Sequence, residues 1–173
     1  MMRGAIGFSS NQTHLLSRLI VWATKSKWTH VFLIIDDCKV LTVYTSTFEA
    51  SGFSVHKDKF EKYLKPRMEY EVYILDNTDE AKFSALKEVL TLDGRSYGIL
   101  QLIGFGLKLL FRGFKSNPVS SGIICSELGW RYLRELRVSG YEKFDKDTVS
   151  PAQLREFIIT TSGSKLVAFS KND

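Results

Sequence analysis

Two stretches rich in β-branched and aromatic residues lie close together near the N-terminus, and they constrain the fold more than any other feature of the sequence. Residues 29–36 and 39–48 both have strand composition, and only Asp36-Asp37-Cys38 separates them. Two such stretches with a short polar connection are typical of an antiparallel hairpin. The pattern therefore predicts paired strands with a tip at Asp37 and Cys38.

Helix and strand signals alternate along the rest of the chain. Its 173 residues, with 44% hydrophobic and 25% charged residues and no repeat or linker, predict a single domain over residues 1–173. Together the signals indicate an α+β fold with helices packed on an antiparallel sheet. The pattern predicts helices over 9–27, 57–64, 77–92 and 125–136, a helix start at Ser150-Pro151, a further helical stretch within 97–114, a loop over 116–122, and strands over 53–55, 69–75 and 165–170.

Cysteine count and hydropathy give expectations about the compartment. Two cysteines, Cys38 and Cys125, do not form a disulfide framework, which favours a reducing environment. The N-terminus lacks the apolar stretch of a secretory signal, and the most apolar segment, 97–114, is interrupted by charged residues. We therefore expect a cytoplasmic protein, with a phage-encoded origin as an alternative.

The run from Gly122 to Leu128 contains the residue with the clearest chemical meaning. It has the pattern of a loop that turns into a helix, with Cys125 at the helix entrance. Unpaired backbone N–H groups and the positive end of the helix dipole favour a thiolate there. Far upstream, His30 opens the apolar run 31–35. A thiol on a helix end facing an imidazole on a strand is the machinery of cysteine hydrolases, so we predict a nucleophile at Cys125 and a base at His30.

A third group should orient the imidazole, and two residues compete for that role. Glu49 follows the histidine strand and could accept the second ring N–H. Thr45 is the rival, since a turn centred on Asp37 and Cys38 places it opposite His30, with Glu49 four residues further on. Backbone N–H groups at the start of the Cys125 helix would stabilise an oxyanion. Gly129, inside that helix, predicts close packing on a strand.

Other ligand classes have little support. The histidines and cysteines lack metal-ligand spacing, no phosphate-cradling glycine pattern occurs, and we predict no cofactor. The formal net charge of +5 and the lysines around residue 60 are typical of a solvated basic face rather than a nucleic-acid site. The segment 104–114, with Lys108 and Arg112 among leucines, could contact anionic lipid or an acyl chain; a buried core helix is the alternative.

Three motifs together resemble the circularly permuted papain-like hydrolases of the NlpC-type amidase superfamily, in particular their YiiX-like branch. They are Trp28-Thr29-His30-Val31, Ile124-Cys125-Ser126-Glu127-Leu128 and Ser150-Pro151-Ala152-Gln153-Leu154, and the resemblance covers roughly residues 16–154. It implies a circularly permuted papain-like fold, Cys125 as nucleophile, His30 as base, Glu49 as the polar third residue and Tyr97 lining the cleft. Gln153 stands where the family usually has an acidic residue, and the spacing from His30 to Glu49 exceeds that of the shortest relatives.

The resulting expectation is a cysteine hydrolase that cleaves an amide, peptide or related acyl bond through an acyl-enzyme. Two alternatives stay open: a lipid-directed acyl hydrolase or transferase at a membrane surface, and a catalytically inactive binding module of the same fold. A murein amidase that contacts the cell wall is a further possibility, which the missing signal peptide disfavours.

Overall fold

The computed structural model describes residues 1–10, 15–98 and 122–170. Six strands, four α-helices and two 3-10 turns make up this part of the chain. They are β1 (Ile6–Ser10), α1 (Leu15–Thr24), β2 (His30–Ile34), β3 (Ser46–Ser51), β4 (Ser54–Lys59), a 3-10 helix (Phe60–Leu64), β5 (Glu69–Ile74), α2 (Asp79–Leu90), α3 (Cys125–Glu135), a 3-10 turn (Tyr141–Lys143), α4 (Pro151–Thr160) and β6 (Lys165–Ser170). The α+β class with an antiparallel sheet is therefore confirmed. No described helix is long and apolar enough to span a membrane.

The strands form one antiparallel sheet in the order β4-β3-β2-β1-β5-β6. β1 lies in the middle, and all five of its residues are buried. The sequence analysis did not predict this strand, because it began a helix at Ser9. Gly7 explains how β1 fits, since a Cβ atom there would lie 2.1 Å from Cζ of Phe32. The phenylalanine ring therefore lies directly over the β1 backbone.

The two faces of the sheet are covered differently. Helices α2, α3 and α4 contribute to the larger core on one face. The opposite face carries a smaller core, in which the 3-10 helix Phe60–Leu64 packs on β2 through Phe32 and Ile34. The close packing predicted from Gly129 is present, since a Cβ atom there would lie 3.0 Å from Val31 Cγ1 and 3.1 Å from Leu154 Cδ1. Helix α3 thus presses directly on β2.

The predicted hairpin exists, but its connection is longer than expected. β2 ends at Ile34 and β3 begins at Ser46, so residues 35–45 link the strands and the predicted strand over 39–45 is wrong. The stretch 57–59 continues β4 rather than starting a helix, and only 60–64 is helical. The predicted structures at 69–75, 77–92, 125–136, 150–151 and 165–170 match β5, α2, α3, α4 and β6 within two residues at each described end. Most of the predicted helical stretch 97–114 and loop 116–122 lies outside the described residues.

Candidate active site

Cys125 is the first residue of α3, as the sequence predicts. Ile124, in extended conformation, precedes it as the N-cap and its side chain makes no capping hydrogen bond. The side chain therefore leaves the first-turn N–H groups without the partner that a serine or aspartate cap would supply. Cys125 Sγ lies 3.9 Å from the carbonyl oxygen of Thr29, which places the sulfur beside the start of β2.

The Cys125 thiol is almost completely buried. Cys125 is only 3% exposed and belongs to the larger core, whereas the side chain of His30 is 18% exposed. Burial follows from the position of the sulfur at the junction of α3 and β2, which Gly129 brings into close contact. Within the pair, the imidazole is thus the more solvent-accessible partner.

His30 lies between Cys125 and a carboxylate. Its Nε2 lies 2.7 Å from Oε2 of Glu49, which leaves Nδ1 as the ring nitrogen for Cys125. Burial lowers the pKa of His30. The pKa is nevertheless raised to about 9, first by the negative charge of Cys125 and a hydrogen bond to it, and then by the hydrogen bond and charge of Glu49. Both neighbours of the ring therefore favour the protonated form of His30 and oppose the effect of burial.

Glu49 is completely buried rather than an exposed charge at a strand end. Tyr63 donates a hydrogen bond to Oε2 at 3.0 Å, Thr47 donates to Oε1 at 3.1 Å, and Lys62 Nζ lies 2.5 Å from Oε2. Burial alone would raise the pKa of this carboxyl. The hydrogen bond and charge of His30, with the charge of Lys62, nevertheless hold the pKa far below its usual range. Glu49 is therefore a carboxylate, able to hold the imidazole ring.

Strand register explains why Glu49, and not Thr45, contacts the imidazole. Phe32 pairs with Glu49, so Glu49 and His30 lie on the same face as diagonal neighbours, within reach of long side chains. Thr45 precedes β3, and its Oγ1 accepts a hydrogen bond of 2.9 Å from the backbone N–H of Thr42. The prediction of Thr45 opposite His30 was wrong because it assumed a tight turn at Asp37 and Cys38.

A short backbone bridge holds Tyr97 and the residues before the nucleophile together. Gly98 N–H donates to the carbonyl of Ile123 at 3.1 Å, and Ile123 N–H donates to Ser96 at 3.0 Å. Gly122 has a φ of +83°, and a Cβ atom there would lie 2.7 Å from the backbone nitrogen of Gly98. Burial, and then the charge of Cys125, raise the pKa of Tyr97.

Two observations bear on residues that the sequence analysis interpreted differently. The sequence analysis assigned Lys62 to a solvated basic face, and no sequence signal pointed to its contact with Glu49. The contacts of Tyr63 and Thr47 with Glu49 were likewise missed.

Gln153, which departs from the pattern of the family that the sequence resembles, completes a capping box at the start of α4. Its Oε1 accepts a hydrogen bond of 2.9 Å from Ser150 N–H, while Ser150 Oγ accepts from Gln153 N–H. An amide thus supplies the acceptor that an acidic residue would supply.

No protein-family model matches the chain, and no similar sequence occurs among the curated proteins. Within residues 1–10, 15–98 and 122–170, no group of three His, Cys, Asp or Glu side chains is arranged to hold a metal ion. The segment proposed to contact lipid, 104–114, lies outside the described residues.

Proposed function

We propose that the protein is a cysteine hydrolase of the circularly permuted papain-like type, which cleaves an amide, peptide or related acyl bond. The observation that carries the proposal is the position of His30, whose ring lies between Cys125 and the buried carboxylate of Glu49. This order of Cys125, His30 and Glu49 supports the proposal, because nucleophilic catalysis by cysteine needs a base beside the thiol and a group that orients the base.

The chemistry follows from the charges of these three groups. The Cys125 thiolate attacks the carbonyl carbon, and backbone N–H groups at the start of α3 stabilise the oxyanion. When the carbon–nitrogen bond breaks, the His30 imidazolium gives its proton to the leaving amine, and a thioester remains. Neutral His30 then takes a proton from water, the resulting hydroxide attacks the thioester, and the carbon–sulfur bond breaks to restore the thiolate.

The test uses the two free cysteines of the chain as internal controls for each other. Iodoacetamide labelling near pH 6, resolved by mass spectrometry, compares Cys125 with the half-buried Cys38. We expect Cys125 to react at least about tenfold faster than Cys38 and free cysteine, since the thiolate is the reactive form. His30→Ala should abolish the excess, and Lys65→Met, which changes an exposed side chain, is the control and should leave it unchanged.

Equal labelling of both cysteines, together with no turnover of fluorogenic peptide, amide or lipid ester substrates, would contradict the hydrolase and favour the inactive binding module. With the excess present, the same substrate panel separates an amidase from a lipid-directed acyl hydrolase. Cys125→Ala is the control for substrate turnover in every case.

A further inference from the structure

Lys62 contacts the same carboxylate oxygen that holds the candidate base. Its Nζ lies 2.5 Å from Oε2 of Glu49, and His30 Nε2 lies 2.7 Å from that atom. Lys62 also lies 2.9 Å from Asp58 Oδ2, and its ammonium is 5.2 Å from the ring centroid of Tyr63. With its side chain 28% exposed, the lysine connects the buried carboxylate to the surface.

Sharing one oxygen has an electrostatic consequence for His30. Two cations on one carboxylate repel each other, and each reduces the negative charge available to the other. A Glu49 carboxylate without Lys62 would stabilise the imidazolium more strongly. The lysine therefore opposes protonation of the imidazole while it keeps Glu49 ionised and fixed in place.

We propose that Lys62 is a positioning residue of the catalytic pair, which fixes Glu49 and, by sharing its charge, eases the transfer of the His30 proton to the leaving group. The inference rests on the proposed function and deepens it. Proton transfer is most efficient when the affinity of the donor for its proton is close to what the reaction requires. A histidine that held its proton too strongly would release the amine slowly and would rarely be in the neutral form that deacylation needs.

The groups around the imidazole determine the sign of the expected effect. Cys125 on α3 and Glu49 on β3 supply the negative charge that acts on the imidazole. Lys62 on the 3-10 helix brings positive charge to Glu49, and Asp58 on β4 contacts Lys62. The neutral neighbours are the phenols of Tyr63 and Tyr97 and the hydroxyl of Thr47, while His56 pairs with Glu49 across β3 and β4 and contacts Asp58. Removal of Lys62 leaves negative charge in excess, and removal of the Asp58 charge does the opposite.

The test is a titration of His30 by NMR in the full-length protein, with His30→Ala to assign the signal. We expect Lys62→Met to raise the pKa of His30 by about half a unit or more, a threefold change in the equilibrium constant, and Asp58→Asn to lower it. Lys62→Arg should restore the wild-type value, since it retains the charge. Lys65→Met, which removes an exposed lysine three residues away, is the control for net charge.

The kinetic constants of the variants should change together with the pKa of His30. In Lys62→Met the deacylation rate should fall about threefold, and the alkaline limit of kcat/KM should move upward with the His30 pKa. A purely structural lysine would not move the titration in opposite directions in the Lys62 and Asp58 variants.

An unchanged or lowered His30 pKa in Lys62→Met would overturn the inference. If that variant does not fold, Asp58→Asn decides alone, and a value equal to or above the wild type would overturn it. The titration needs no substrate, so failure of this inference is distinct from failure of the proposed hydrolase, which would appear as an unreactive Cys125.

Discussion

Four side chains bring donors to the fully buried Glu49 carboxylate, namely His30, Lys62, Tyr63 and Thr47. Such a network is stable only when each member has a partner, because an unpaired buried charge costs several kcal/mol. Within this network the ring of Tyr63 also stacks on Phe32 at 4.1 Å. The residues that support the candidate base are therefore held by aromatic packing as well as by charge.

Ser9 is the opposite case, because its buried hydroxyl Oγ has no hydrogen-bond partner among the described residues. It pairs with His30 across β1 and β2 and therefore lies on the same face of the sheet. Leaving a buried polar group unsatisfied costs about 1–3 kcal/mol, so Ser9→Ala should be as stable as the wild type or about 1 kcal/mol more stable. Urea denaturation at pH 7 measures this difference.

A loss of more than about 1 kcal/mol in Ser9→Ala would show that the hydroxyl has a partner, such as a bound water molecule. Ser10→Ala, which changes the neighbouring buried serine on the same strand, is the matched control.

Among the elements, those with strong local signals were predictable, and those defined by long-range packing were not. Helices α2 and α4 have their capping residues, Thr78 and Ser150, where the sequence indicates them. β1 has no capping signal, and although all five of its residues are buried, two of them, Ser9 and Ser10, are polar. Its identity depends on Phe32 filling the space above Gly7, a contact between different strands.

The register of β2 and β3, within the candidate site, was likewise not predictable from local sequence signals. The residue types indicated both Glu49 and Thr45, and only the length of the connection decides between them. Residues 35–45 do not form a tight turn, and Asp36 Oδ2 instead accepts a hydrogen bond of 2.6 Å from the N–H of Ser46, the first residue of β3. A side chain ten residues away thus helps to fix where the strand begins, which a local pattern does not reveal.

The backbone bridge before α3 leads to a prediction about two glycines. Gly122 and Gly94 both have positive φ, but a Cβ atom would meet backbone atoms only at Gly122 and has open space at Gly94. Gly94→Ala should cost about 1–2 kcal/mol from the left-handed conformation alone. Gly122→Ala should cost more and should also slow iodoacetamide labelling of Cys125, because the bridge to residues 96–98 must move.

Urea denaturation and mass spectrometry check both effects in the same pair of variants. Equal destabilisation by the two alanines, with unchanged labelling of Cys125, would contradict the role given to the bridge.

For the molecule as a whole, the sheet brings together residues that lie far apart in the chain. His30 and Cys125 are 95 positions apart in sequence, yet Cys125 Sγ lies 3.9 Å from the carbonyl of Thr29, which precedes His30. Residue types and local patterns were sufficient to select both side chains. Their contact depends on the packing of α3 on β2. The position of Glu49 depends on the pairing of β2 with β3, which β1 and the 3-10 helix stabilise from either side.

Two buried or half-buried carboxylates determine how the whole molecule should respond to acid. Burial raises the pKa of Glu49 and of Glu71, but His30 and Lys62 lower the first, and Arg155 and Tyr73 lower the second, so that both lie below the ordinary value of 4.5. A carboxyl whose pKa is lower in the folded than in the unfolded state contributes stability above the unfolded value, and this contribution disappears as the pH falls. We therefore expect the free energy of unfolding to decrease as the pH falls below about 4.5.

Urea denaturation at pH 7, 5, 4 and 3 tests this dependence. Glu49→Gln should be less stable than the wild type at pH 7, by about 1.5–3 kcal/mol, and should lose less stability in acid, because the amide does not titrate. Glu71→Gln should show the same pattern independently. β3 and β5 are three strand spacings apart in the sheet, about 14 Å, so the two effects should add in the double variant. An acid slope in Glu49→Gln equal to that of the wild type would mean that Glu49 is not held as a carboxylate by His30 and Lys62, and the charge arrangement of the candidate site would then be wrong.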